Sequence, residues 1–258
     1  MSVNDFSPLD HPDISINSFY PRRNWFPVPP GAVAHMITVG DGVSLSCRFF
    51  PSGAANPTIL FFFGNGETAV DYDEIAPCYN QIGVNFFIAD YRGYGASSGS
   101  PTYGAMLSDA RIVVAELQTI LNAGGYNGPI YVMGRSMGRH PAFELGARTP
   151  DLIKGMIIDS GRPTLGQFLN GLEPALATRL EATHRVKVRS IQLPVLVIHG
   201  EEDSLAPVQQ AVDMYHEFVS PNKRLLTIPG AGHNDLLNLG LREYFEAIRG
   251  FVAGDPTQ

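Results

Sequence analysis

Gly134-Arg-Ser-Met-Gly138 fits the G-x-S-x-G pattern of an exposed serine nucleophile, and Gly95-Ala-Ser-Ser-Gly99 fits it too. A serine hydroxyl is inert at its own pKa, so it needs a base within hydrogen-bond reach and an acid to orient that base. Context separates the two copies. A nucleophile elbow requires a strand running straight into the turn and a helix leaving it. That geometry lifts Oγ above the sheet edge and aims the helix N-terminus at the reacting carbonyl. Ser136 has "PIYVMG" before it and "HPAFELGAR" after it, whereas Ser97 lies several residues past its strand and is followed by Ser-Gly-Ser-Pro. Ser136 is the candidate nucleophile, and Ser97 reads as a turn residue. The second half of the motif is awkward. Arg139 and His140 are bulky, and Pro141 removes a helical donor and disfavours helical geometry at His140. The elbow helix is expected to be kinked or widened in its first turn, with Arg139 and His140 turned away from the sheet.

The base and acid are sought in loops that follow apolar runs, where open α/β sheets place their ligands. "PGAGHND" puts His233 in a glycine-flanked loop before the final helix. His199 reads as a buried support rather than the base, and His11, His35, His184 and His216 as ordinary surface or arm residues. For the acid, Glu201, Glu202 and Asp203 compete in "HGEEDSLAP", with Asp159 at the end of "MIIDS" as an outsider. Asp203 is preferred because a helix start at Ala206-Pro207 follows it closely. Acyl transfer also needs preorganised N–H donors for an oxyanion. The backbone N–H of Met137 is one. The loop "GNGE" after "TILFFF" offers the N–H of Asn65 as the other, because Gly64 and Gly66 let the backbone come close to a substrate.

These loops need strands and helices to hold them. "AHMITV" and "VSLSCRFF" flank Gly40-Asp41-Gly42 as a hairpin. "TILFFF", "VNFFIADY", "PIYVMG", "GMIIDS" and "LPVLVIHG" are continuously apolar, as strands buried on both faces are, and "RLLTIPG" closes the series. Between them, Leu107 to Leu121, Val208 to Val219 and Leu241 to Phe251 keep a helical apolar spacing. The alternation predicts an α/β fold: a mostly parallel sheet of about eight strands with helices on both faces. Residues 1–32 read as an irregular arm docked by Phe19, Tyr20, Trp25 and Phe26, and 33–258 as one domain. Residues 162–192, with Leu165, Phe168, Leu169, Leu172, Leu176 and Leu180, read as a small helical lid over an apolar acyl pocket.

The composition narrows the classes. With 258 residues, 44% of them hydrophobic, one sizeable core is expected. A net charge of -7 and no basic cluster argue against nucleic acid as a partner. Cys47 and Cys78 make no disulfide framework and read as reduced thiols in a cytoplasmic protein. The polar, acidic N-terminus is no secretory signal, and no apolar run is long enough for a transmembrane segment. No metal-ligand spacing, phosphate loop or dinucleotide fingerprint appears, so neither metal nor cofactor is expected.

Taken jointly and in order, "FFGNGE", "DYRGYGASSGSPTYGAMLSDA", "GRSMG", "IHGEEDSLAP" and "GAGHND" resemble a serine hydrolase of the α/β-hydrolase superfamily, over residues 33 to about 253. The "YRGYGxSxGxP" loop is similar to that of small-lid members related to depalmitoylases. The resemblance implies an α/β-hydrolase fold with Ser136 as nucleophile, Asp203 as acid, His233 as base, and Asn65 and Met137 as oxyanion donors. It implies hydrolysis of carboxylic esters or thioesters of small to medium acyl chains, a small-molecule acyl ester being the partner. An acyltransferase or peptidase could use the same residues, and the fold also occurs as a catalytically inactive binding protein. Two departures stand out. Phe63 occupies a position where the family commonly has His, and Arg139-His140 replaces small residues after the elbow.

Overall fold

The apolar runs pair into one eight-stranded sheet in a computed structural model that describes residues 5–254; the first four residues of the arm and the last four of the domain lie outside the described residues. In chain order the strands are β1 (Val33–Thr38), β2 (Ser44–Phe50), β3 (Thr58–Phe62), β4 (Asn85–Ala89), β5 (Ile130–Arg135), β6 (Met156–Asp159), β7 (Val195–Gly200) and β8 (Lys223–Ile228). Their order across the sheet is β1-β2-β4-β3-β5-β6-β7-β8. The β1–β2 hairpin pairs antiparallel onto β4, and the remaining pairs are parallel. Parallel pairing puts the ends of β3, β5, β7 and β8 on one rim, which is where the loops carrying the chemistry emerge. Strands β3 and β4 are wholly buried and β8, at the edge, mostly half-buried, which explains the unbroken apolar runs in the middle of the sheet.

The helices are α1 (Pro12–Ser18), α2 (Ala76–Gln81), α3 (Tyr103–Ala123), α4 (Arg139–Arg148), α5 (Pro174–Arg189), α6 (Val208–Glu217) and α7 (Leu236–Ala253). On one face, α2 meets α7 through Tyr79 and Phe245, rings 5.0 Å apart, and α7 reaches β5 through Phe251 and Tyr131 at 5.7 Å. On the other, Phe143 of α4 touches His184 of α5 at 5.9 Å and Phe218, just past α6, at 6.1 Å. The helical spacing from Leu107 to Leu121 is the buried face of α3. That helix begins earlier than the spacing indicates because the Thr102 hydroxyl accepts the Ala105 N–H, 3.1 Å, as an N-cap. Among the described residues no helix is long and apolar enough to cross a membrane.

Three expectations change. The arm is not irregular throughout: α1 starts on Pro12, whose missing N–H costs nothing at a helix start. The arm docks through Phe6, Leu9, Ile14 and Phe19, while Tyr20, Trp25 and Phe26 stay 61%, 61% and 60% exposed. The stretch 162–192 divides. A 3₁₀ turn, Gly166–Leu169, precedes α5, and α5 packs on α4, where Lys187 Nζ lies 2.9 Å from Glu144 Oε2. A crossover is obligatory between parallel neighbours such as β6 and β7, and α5 supplies it. Leu165, Phe168 and Leu180 accordingly belong to the core. His184 is also no surface residue. It is fully buried, 5.4 Å from the equally buried His140 and 6.4 Å from the Phe6 ring of the arm.

Burial strips both imidazoles of water, and Arg139 beside His140 and Lys187 beside His184 add like charge. Both pKa values therefore lie well below the ordinary histidine value. An unfolded chain takes up a proton at each ring near pH 6.5, and the folded protein does not. The stability from neutral rings is thus complete above about pH 6.5 and is lost as the pH falls below it. Thermal melts should show Tm falling between pH 7 and pH 5, at about 2–4 °C per kcal/mol for a domain of this size. The double substitution His140→Phe and His184→Phe should flatten that acid limb. An acid limb equally steep in the double variant would assign it to other groups.

Candidate active site

The site starts at the end of β5. A Cβ on Gly134 would lie 2.3 Å from the Gly138 carbonyl oxygen, and one on Gly138 would lie 2.0 Å from the Phe62 carbonyl oxygen of β3. Only glycine fits at either place, so the chain turns hard against the sheet. Ser136 sits between them at φ 50°, a left-handed conformation that an L side chain adopts at a cost of about 1–2 kcal/mol. The strain exposes its hydroxyl above the rim. Beyond it the chain makes one 3₁₀ turn, Ser136–Gly138, before α4 begins at Arg139. The first turn is thus tightened rather than widened. Counting from the Gly138 cap, Pro141 falls among the first four residues, whose amides have no helical acceptor, and so forfeits no bond.

His233 comes from the loop after β8 and Asp203 from the loop after β7. The two loops interlock, since a Cβ on Gly200 would meet the Ala231 carbonyl oxygen at 2.3 Å. His233 Nε2 lies 2.9 Å from Ser136 Oγ, and His233 Nδ1 lies 2.7 Å from Asp203 Oδ2. Asp203 Oδ1 accepts the N–H groups of Leu205 and Ala206 at 2.9 and 2.7 Å. Burial pushes the Asp203 carboxyl upward, but the hydrogen bonds from His233 and Ala206 outweigh it. The pKa lies below the ordinary carboxylate value, and Asp203 is ionised at neutral pH. His199 Nε2 lies 2.7 Å from the Ala206 carbonyl oxygen and 3.3 Å from Asp203 Oδ2, a support for the acid, as its sequence setting indicates. Two of the competing carboxylates are engaged elsewhere, and Glu202 is exposed. Asp159 Oδ2 accepts from the Tyr244 hydroxyl at 2.8 Å, and Glu201 from Thr227 at 2.8 Å.

Asn65 and Met137 line the same cavity of about 300 Å³ as Ser136 and His233. The Asn65 side chain is held by its neighbours: Nδ2 donates to the Ser18 carbonyl at 2.7 Å, and Oδ1 accepts from Tyr20 N–H at 2.9 Å and the Tyr94 hydroxyl at 2.7 Å. The arm therefore clamps this loop. Where the family's His is missing, the Tyr91 hydroxyl donates to the Phe63 carbonyl at 2.7 Å and supports the loop from below. Ser97 has a structural role, its hydroxyl accepting the Ser46 N–H at 2.8 Å.

Sequence reasoning missed Arg135, the variable residue of the motif, and its partner Glu67. Arg135 Nη1 pairs with Glu67, and its Nη2 donates to the His233 carbonyl at 3.0 Å and to Asn234 Oδ1 at 2.8 Å. Glu67 in turn accepts the Gly64 N–H at 2.8 Å and the Tyr72 hydroxyl at 2.7 Å. One guanidinium thus ties the Asn65 loop to the His233 loop. A base at the strand end and an acid in a Gly-rich loop were the available signals, and neither has a spacing that pairs them. The cavity also differs from an apolar acyl pocket. The charged side chains on its wall are Arg139 and Arg162, and of the stretch 162–192 only Arg162 and Gln167 reach it. Arg139 is buried, with Nη1 donating to the Ser136 carbonyl at 2.7 Å and Nη2 to the Thr164 carbonyl at 2.9 Å. His140 packs on Tyr103 and Phe168, both at 5.3 Å, away from Ser136 and unable to act as its base.

The parallel sheet, the strained strand-to-helix serine and the loops at the carboxyl rim define an α/β hydrolase. The chain belongs to that superfamily, and residues 53–167 and 162–238 match the family model described as serine aminopeptidase, S33. It is 31% identical to human alpha/beta hydrolase domain-containing protein 17B over 224 residues, 84% of this chain and 74% of that protein. It is 29% identical to protein bem46 of Schizosaccharomyces pombe over 78% of this chain and 69% of that protein. Among solved structures it resembles the Pyrococcus furiosus esterase Pf2001, with a TM-score of 0.73 and 22% identity over 91% of this chain and 98% of that one. Est1E from Butyrivibrio proteoclasticus, solved with ferulic acid bound, gives 0.68 and 21% over 87% and 100%. At that identity the structural likeness speaks for the fold, and the family match for a hydrolase.

Removing the Arg135 guanidinium frees both loops and leaves Glu67 unpaired. Arg135→Gln should lower kcat by about 10²-fold, the cost of misplacing reacting groups by about 1 Å, with KM little changed. Steady-state kinetics on any ester the protein turns over measures this. An effect confined to KM would make Arg135 a substrate contact instead.

Proposed function

We propose that this hydrolase cleaves carboxylic esters or thioesters of small to medium acyl chains through an acyl-enzyme. The observation that carries the reading is the hydrogen-bonded chain from Asp203 through His233 to Ser136, at 2.7 and 2.9 Å. Ser136 Oγ attacks the ester carbonyl and its proton passes to His233 Nε2. The resulting oxyanion sits between the N–H groups of Asn65 and Met137. His233 then protonates the leaving alcohol or thiol as the carbonyl–heteroatom bond breaks. Water repeats the sequence on the acyl-enzyme, returning a proton to Ser136 and releasing the acid. Asp203 stays ionised throughout, fixing the imidazole with Nδ1–H toward itself and stabilising the imidazolium. The free thiols Cys47 and Cys78 accord with a reducing, cytoplasmic compartment as part of the same proposal.

The family description raises an aminopeptidase as the second reading. Such an enzyme must hold a substrate ammonium group. Two arginines and no carboxylate face this cavity, which favours the ester.

Turnover of p-nitrophenyl esters from acetate to palmitate should appear, with the optimum at short to medium chains; none at any length would sink the ester reading. Ser136→Ala should lose both turnover and labelling by a fluorophosphonate. Asp203→Asn, which favours the wrong imidazole tautomer, should lower kcat by about 10⁴-fold, the magnitude known for the same change in serine proteases. Labelling that survives Ser136→Ala would place the nucleophile elsewhere, and wild-type protein that never labels would point to an inactive binding protein.

A further inference from the structure

Arg139 is the feature of the elbow that ester hydrolysis does not use. It is 3% exposed and lines the Ser136 cavity, yet among the described residues it has no carboxylate partner. Two of its five N–H donors go to the Ser136 and Thr164 carbonyls, and Nε, also buried, has no acceptor. Buried guanidinium groups are ordinarily paired, because a lone charge away from water is costly. Here a second cation makes the position worse. Arg162 lines the same cavity, and among the described residues its one hydrogen bond to a side chain is a long 3.4 Å contact with the neutral Gln167. Burial, and after it the charge of Arg162, lowers the Arg139 pKa to about 9, so the group still carries its charge at neutral pH. The nearby Glu181 is occupied, one oxygen accepting the Leu165 N–H at 3.0 Å and the other facing Arg185.

We propose that the cavity receives acyl groups bearing a free carboxylate, so that the substrates are half-esters of short dicarboxylic acids whose far carboxylate pairs with Arg139 and Arg162. This rests on the ester reading above and names its substrate class. A guanidinium offers N–H donors in the fork geometry that a carboxylate matches, and Arg139 and Arg162 are the two that line this cavity. The charge is assigned to the acyl side because Arg139 holds the carbonyl of the nucleophile itself, whereas the alcohol departs past His233 Nε2. A cavity of about 300 Å³ lies at the small end of ligand sites and suits a short diacid. Water adds across the ester bond, the alcohol leaves with one hydrogen, the new carboxyl group releases the other as a proton to solvent, and the diacid remains as a dianion beside the two arginines. The product should therefore bind as well.

The test compares monoethyl glutarate with ethyl valerate, esters of equal acyl length that differ by one terminal carboxylate, followed by pH-stat. The half-ester should show a KM at least about 10-fold lower, one hydrogen-bonded ion pair's worth of discrimination. That preference should collapse toward unity in Arg139→Met and weaken in Arg162→Met. Calorimetric titration of glutarate into Ser136→Ala gives a readout independent of turnover: binding is expected, and its loss in Ser136→Ala/Arg139→Met. Should the Met variants not fold, Arg139→Lys, which keeps the charge and loses the fork, should bind glutarate measurably more weakly. Equal KM values for the two esters, an undiminished preference in Arg139→Met, or no glutarate binding each overturns the inference. A preference for an anionic alcohol, read with ethyl acetate against acetylglycolate, overturns the acyl-side assignment. Glutarate binding without hydrolysis of either ester would leave the anion site standing and remove the ester reading.

Discussion

The approach of Gly138 to the Phe62 carbonyl, closer than any Cβ allows, is the constraint from which the rest of the site follows. It draws the start of α4 onto the end of β3, and Gly134 makes room for the Gly138 carbonyl in the same turn. The chain can then join β5 to α4 only by taking Ser136 through a positive φ. That strain is small beside the packing that enforces it, because β5 is buried between β3 and β6 and α4 is buried along most of its length. The turn also explains why Pro141 is harmless. A single backbone contact thus fixes a hydroxyl and a helix start together.

The other groups arrive on loops, which would be loose without ties. Three are supplied by polar side chains at the rim of the sheet. Arg135 joins the Asn65 and His233 loops through Glu67 and the His233 carbonyl. Asp203 caps its own loop through the N–H groups of Leu205 and Ala206 before it meets His233. Asn65 hands its side chain to Ser18 and Tyr20 of the arm. The arm thereby reaches the site, and its Tyr20 lines the cavity of Ser136. Partly buried ion pairs such as Arg135–Glu67 add little to stability once desolvation is counted, and their value lies in the geometry they hold.

Two buried features work against stability. His140 and His184 sit against one another with their rings tilted and three ring nitrogens unpartnered, and Arg139 keeps its charge beside Arg162. A chain free of functional demands loses such groups readily, since hydrophobic residues of similar volume are as good or better. The arginine faces the cavity and the histidines do not. The charge has a site to serve, and the histidines make the junction of arm, α4 and α5 dependent on pH.

Much of this was legible in the sequence because it is local. Apolar runs flanked by Gly and Pro mark the strands, and G-x-S-x-G directly after a strand marks the elbow. His233 and Asp203 lie in loops that follow apolar runs. Each signal depends on neighbours within a few residues, and burial on both faces of a sheet leaves a plain imprint on composition. The short α1 and α2 were invisible, because six or seven residues carry too little periodicity to separate a helix from a loop. The partners of Arg135 and Asn65, and the burial of His184, depend on contacts between residues 29 to 99 positions apart or on packing of α5 against α4. No spacing rule encodes such contacts. The sequence alone determined which residue types could react and in what order they lie along the chain. Only the tertiary structure decided that Arg139 is buried beside the nucleophile without a counter-ion, because the burial of a charge is a property of all the elements that close around it.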